Sequence, residues 1–84
     1  MSKRIVIPVL SSTLDAYTTG PFLQALLETD VITAAELSLV EGKGEVVAVG
    51  APEDMPLEEA VSRTHKALAA VGCSGELGQP YVAG

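Results

Sequence analysis

The sequence predicts an α+β domain, an antiparallel sheet carrying two helices on one face. Three observations predict it. Leu57, Ala60, Val61, Thr64, Leu68 and Val71 recur at a period of 3.6 and form a single apolar helical stripe. Ile5–Leu10, Ile32–Val40 and Glu45–Val49 are short apolar runs bounded by turn residues, as strands are. Glu41-Gly42-Lys43-Gly44 then joins the last two runs by a loop of hairpin length.

Taken in order, Ile5–Leu10 is apolar at every position, which suits a buried central strand. Pro8 within it cannot donate to a ladder, so a bulge or an unpaired neighbour is expected there. Ser11 to Thr19 reads as a loop. Thr18-Thr19-Gly20-Pro21 offers a helix start, a cap residue followed by proline in the first turn. Phe22, Leu23, Leu26 and Leu27 give that helix one apolar face, with an end near Thr29-Asp30. Ile32–Val40 alternates Ala35, Leu37 and Leu39 against Ala34, Glu36 and Ser38, the period of a strand with one wet face. Met55-Pro56 opens the second helix, Glu58 and Glu59 favour its dipole, and Gly72 ends it. The tail from Cys73 to Gly84 reads as loop, with a short strand available at Pro80 to Ala83.

The order β-α-β-β-α, with a possible short last β, is the ferredoxin-like split βαβ arrangement. The first and third strands are expected at its centre, running parallel, with the second and fourth at the edges. Two helices on one face leave the other face of the sheet bare. Such a face is commonly covered by a ligand, a partner or a second copy.

The 84 residues are read as a single domain, 1–84, without internal repeats. A chain this short buries roughly 60% of its unfolded surface and has a stability on the order of 4–12 kcal/mol. Its apolar content, 48%, exceeds what so small a core requires, and that surplus predicts a homo-oligomer associating through the open sheet face. With 11 acids against 5 scattered bases, and only Tyr17, Phe22 and Tyr81 as aromatics, the chain suits neither nucleic acid nor an anionic membrane surface. The apolar run after Met-Ser-Lys-Arg is too short for a signal sequence, and one cysteine makes no internal disulfide. Both point to a soluble cytoplasmic protein.

Candidate chemistry is sparse. Ser11, Ser12, Thr13 and Asp15, with Thr18 and Thr19 at the helix start, form a hydroxyl-rich loop after a strand end, where ligands often meet open sheets. Glu53, Asp54, Glu58 and Glu59 cluster around the second helix start and could dock a basic partner. Glu36 and Glu45 flank the hairpin and read as edge charges that discourage strand addition. His65 lies at the flank of the apolar stripe, and Cys73 follows a helix C-terminus, where the dipole does not activate a thiol. No metal ligation and no cofactor are expected.

Leu14-Asp15 after the first strand, Ala25-Leu26 in the first helix and Gly42-Lys43 resemble the small subunit of formylglycinamidine ribonucleotide synthetase over most of the chain. The Pro-Gln-Gly that family places after Leu-Asp is replaced by Ala16-Tyr17-Thr18. The resemblance implies a shared architecture and no more. The reading overall is of an oligomeric binding or accessory subunit without catalysis of its own. Its alternatives are a small enzyme with an intersubunit site, using Asp15, Thr18 or His65, and an acidic inhibitor docking on a basic partner.

Overall fold

A computed structural model describes residues 2–83. The elements are β1 (Ser2–Ser12), α1 (Thr19–Leu27), β2 (Ala34–Val40), β3 (Gly44–Pro52), α2 (Leu57–Ala70), β4 (Gly75–Leu77) and β5 (Tyr81–Ala83). The five strands make one antiparallel sheet in the order β2-β3-β1-β4, with β5 also on β1, a ferredoxin-like split βαβ arrangement. β1 and β3 are indeed its centre, but they run antiparallel, with Ile5 opposite Val49 and Ile7 opposite Val47. The expected parallel pairing is therefore corrected. The crossover through α1 leaves β1 parallel to β2, and β3 inserts between them, antiparallel to both.

Alternation along the strands sorts the side chains. Ile5, Ile7, Val47, Val49 and Ala51 point to the helical side and are buried with Phe22 and Leu26 of α1 and Ala60, Ala67 and Leu68 of α2. Ile32 and Met55, in the connections, close the ends of this core. On the other face Val6, Val46 and Ala48 make a second, smaller buried cluster under Tyr81 and Ala83. The face expected to be bare is thus partly covered by the chain itself.

β1 is longer than its apolar run suggests, because Ser11 and Ser12 pair with Glu76 and Gly75. The tail supplies both partners: β4 and β5 run along the same edge of β1, one beside Val9–Ser12 and the other beside Arg4–Val6. They are a single edge strand broken at 78–80. The short strand available at Pro80 to Ala83 forms as β5, and Gly75–Leu77, read as loop, is strand as well.

The break explains Pro8. Its carbonyl accepts the Gly78 N–H at 2.8 Å, so its nitrogen, which faces the same side, points into the gap between β4 and β5. No ladder bond to β3 is forfeited, and Pro8 keeps register with Val46. The register shift lies further on, between Val9 and Ser11.

The helices end as their sequences dictate. At the α2 C-terminus Gly72 adopts φ of 73°, its N–H donates to the Ala69 carbonyl, and the Cys73 N–H donates to that of Leu68 at 2.9 Å. This is a Schellman motif, and the left-handed position requires glycine. In the hairpin, Gly42 has φ of 80° at the third position of the Val40–Lys43 turn.

Candidate functional site

The hydroxyl-rich loop divides into two structures. Its second half is a helix cap. The Asp15 carboxylate accepts the N–H groups of Tyr17 and Thr18 at 2.8 and 3.0 Å, and the Thr18 hydroxyl at 3.1 Å. In return the Thr18 oxygen accepts the Asp15 N–H at 2.9 Å, completing a capping box one turn ahead of α1. The Thr19 hydroxyl donates to the Asp15 carbonyl at 2.8 Å. Thr18 is the N-cap of α1, within the Thr18-Thr19-Gly20 start expected, but it makes no side-chain cap bond there, and the side-chain capping comes from Asp15 one turn earlier.

These bonds hold the Asp15 carboxyl below its ordinary value. The Tyr17 N–H contributes most, then the Thr18 hydroxyl and the Thr18 N–H. Electrostatically, the donors that could have received an anionic ligand already hold a carboxylate of the chain. His65 is exposed on α2, and no hydrogen bond joins it to Asp15 or Thr18.

The first half of the loop docks on the tail. Thr13 N–H donates to the Ser74 carbonyl, and Ser74 N–H donates back to the Thr13 hydroxyl, both at 2.9 Å. Ser11, Ser12 and Thr13 thus line, with Ser74, Gly75 and Glu76, a shallow depression of about 310 Å³. The sequence offered no signal for Ser74 and Glu76, because only the pairing of β4 on β1 brings them there. The half-buried Cys73 thiol lies 3.9 Å from the Thr13 carbonyl.

The acidic cluster is spread along a turn and a helix start. Glu53, Asp54, Glu58 and Glu59 are all exposed, and Glu59 pairs with Arg63 at 3.0 Å. Glu36 and Glu45 do not meet. Glu36 stands opposite Ala48 on the outer face and Glu45 opposite Leu39, three register steps on and so of opposite parity, and their side chains leave opposite faces. Glu45 is moreover on the inner strand β3, where it guards no edge.

A constellation the sequence left unmarked lies on the outer face. Arg4 reaches across β3 to pair with Glu36, over the small residues Ala48 and Gly50. Together with Ser2 and Ala34 they line a depression of about 380 Å³. Beside it the Lys43 ammonium sits 4.1 Å from the centre of the Tyr81 ring. Pairs separated by 32 and 38 positions leave no trace in local periodicity.

Among the described residues, no three His, Cys, Asp or Glu gather where they could share a metal ion. None of the helices is long and apolar enough to cross a membrane. Fold and surface define a two-layer α+β domain whose outer sheet face has a small apolar centre and a charged rim. No known protein family, curated protein or solved structure matches the chain.

Proposed function

We propose that this chain is a small association module, a binding or accessory subunit that works as a homo-oligomer and carries no catalytic centre of its own. The observation that supports this reading is the outer sheet face. Its centre, Val6, Val46 and Ala48, is buried without any helix over it, under a thin cover whose hydrophobic members are Tyr81 and Ala83, while both helices pack on the other side. Around that centre stand Pro8, Ala34, Gly50 and Val40, apolar or small, and the rim carries charges of both signs at Arg4, Lys43 and Glu36. An apolar centre with a polar rim is the anatomy of an association surface. The slab shape, 32 × 30 × 17 Å, makes this face a large share of the molecule.

The test is native mass by light scattering across concentration, on the parent chain and on Ala34→Arg. Ala34 is exposed, so an arginine there leaves the core intact. An oligomer that persists in high salt and dissociates in Ala34→Arg is the expected result. A parent chain that stays monomeric at every concentration overturns the reading.

A further inference from the structure

The two edges of the sheet are built differently. On one side stand β4 and β5, three residues each, with Pro80 in the interruption between them. On the other, β2 runs for seven residues without proline or lysine, and its register with β3 is unbroken from Ala34–Gly50 to Val40–Gly44. No residue of β2 is buried. A long, regular, uncovered edge is a template for a further strand, and proteins commonly blunt such edges. Here the charge expected to guard it, Glu36, is answered by Arg4 of the same chain.

The direction of the backbone groups follows from alternation along each strand. The Val40 carbonyl accepts the Lys43 N–H at 3.0 Å, so Val40 faces β3, and with it Ser38, Glu36 and Ala34. The far side of the sheet gives the same parity. The Pro8 carbonyl faces Gly78, so Ile5 and Ile7 bond to Val49 and Val47, and Val46 and Ala48 are left for β2. The N–H and carbonyl groups of Ala35, Leu37 and Leu39 therefore point out of the sheet. Among the described residues no turn or loop bond reaches them.

We propose that β2 pairs antiparallel with β2 of a second copy, about a two-fold axis through Leu37. The pattern of the strand selects this occupant and this register. Outward groups lie only on odd-numbered residues, so a two-fold partner must set odd against odd. An axis at Glu36 places two carboxylates opposite each other, and an axis at Ser38 leaves Ala34 and Ala35 without strand partners. The axis at Leu37 pairs all seven residues. Glu36 then meets Ser38 of the other copy, a hydroxyl beside a carboxylate, and Leu39, 82% exposed, meets Ala35. Leu37 and Leu39 of both copies form one apolar strip across the joint. Such a self-match is what a two-fold contact requires. The joint is an edge, distinct from the face contact proposed above, and does not depend on it.

Hydrogen exchange read residue by residue, on the full chain dilute and concentrated, tests the joint directly. The amides of Ala35, Leu37 and Leu39 are expected to exchange fast when dilute. On concentration they should slow to the rate of their β3-bonded neighbours Glu36 and Ser38. Leu39→Pro gives a second reading: it removes an outward N–H at an exposed position and forfeits no bond to β3. It is expected to abolish the dimer while the thermal melt stays cooperative. Fast exchange at all three amides, in a sample that light scattering shows to be oligomeric, overturns the edge joint and leaves the face contact standing. A monomer at every concentration overturns both. A dimer lost in Leu39→Pro and kept in Ala34→Arg means that the edge alone joins the copies.

Discussion

At the scale of single residues, Asp15 and Gly75 show most directly how a side chain, or its absence, fixes the chain. Asp15 is a cap whose carboxylate is held by two N–H groups and a hydroxyl. Since its folded pKa is lowered, its contribution is present above the ordinary carboxylate value of 3.8 and is lost as pH falls through the folded value. Asp15→Ala is therefore expected to unfold at a lower temperature than the parent at pH 7, the gap closing in strongly acidic buffer. Thermal melts at the two pH values measure it, and a gap that persists in acid contradicts the assignment. Gly75 owes its identity to space. A Cβ there would sit 2.9 Å from the Ser11 carbonyl oxygen and 3.3 Å from Leu68 Cδ1, and the backbone oxygen cannot yield. Gly75→Ala is expected to cost about 1–3 kcal/mol by overpacking. Gly20, within α1, has nothing within 4 Å of a new Cβ, so Gly20→Ala should stabilise by about 0.4–1 kcal/mol. Denaturant titrations of the two variants should move in opposite directions.

At the scale of elements, α2 holds the one fully buried polar side chain among the described residues, Thr64. Its hydroxyl donates to the Ala60 carbonyl one turn back at 2.8 Å, so the hydroxyl is satisfied locally and asks nothing of the sheet. Thr64→Val keeps the shape and removes both the hydroxyl and its need for a partner. It should change stability by less than about 1 kcal/mol, whereas Thr64→Asn, too large and too polar for the site, should cost several times more. Urea unfolding midpoints of the two variants separate these outcomes. α1 is anchored differently, by Phe22, which is completely buried in the main core. Phe22→Ala should cost about 3–5 kcal/mol. Against a total stability of roughly 4–12 kcal/mol for a chain of this size, that variant should be partly unfolded at physiological temperature, as circular dichroism would record.

At the scale of the whole molecule, the two sheet faces have different roles. The helical face is closed by a core spanning every long element, and the outer face by a thin cover whose hydrophobic members are two side chains of the tail, with two long-range charged contacts. The Lys43–Tyr81 contact is worth about 0.5–1 kcal/mol at an exposed site. Its loss in Lys43→Ala should weaken β5 without weakening the main core. Hydrogen exchange is the fitting measurement: faster exchange is expected at 81–83, with the amides of Ile7 and Val47 unchanged. Loss of protection throughout the sheet would mean that β5 folds as one unit with the core.

The sequence alone determined the α+β class, both helices and the two central strands, because each rests on a repeating local pattern. The stripe from Leu57 to Val71 and the run Ile5–Leu10 report a helix face and a buried strand through burial period, which near neighbours encode. It also marked Ser11–Thr19 as a place of local hydrogen bonding. Only the tertiary structure decided what those hydroxyls bond to, where the tail goes and which charges meet. A short strand at Pro80 to Ala83 is legible in the sequence, but 75–77 is too short to carry a pattern, and both segments pair because β1 offers them an edge. Arg4 finds Glu36, and Lys43 finds Tyr81, because strand order sets them side by side. A contact between residues distant in the chain is fixed by topology and register, which local periodicity does not contain.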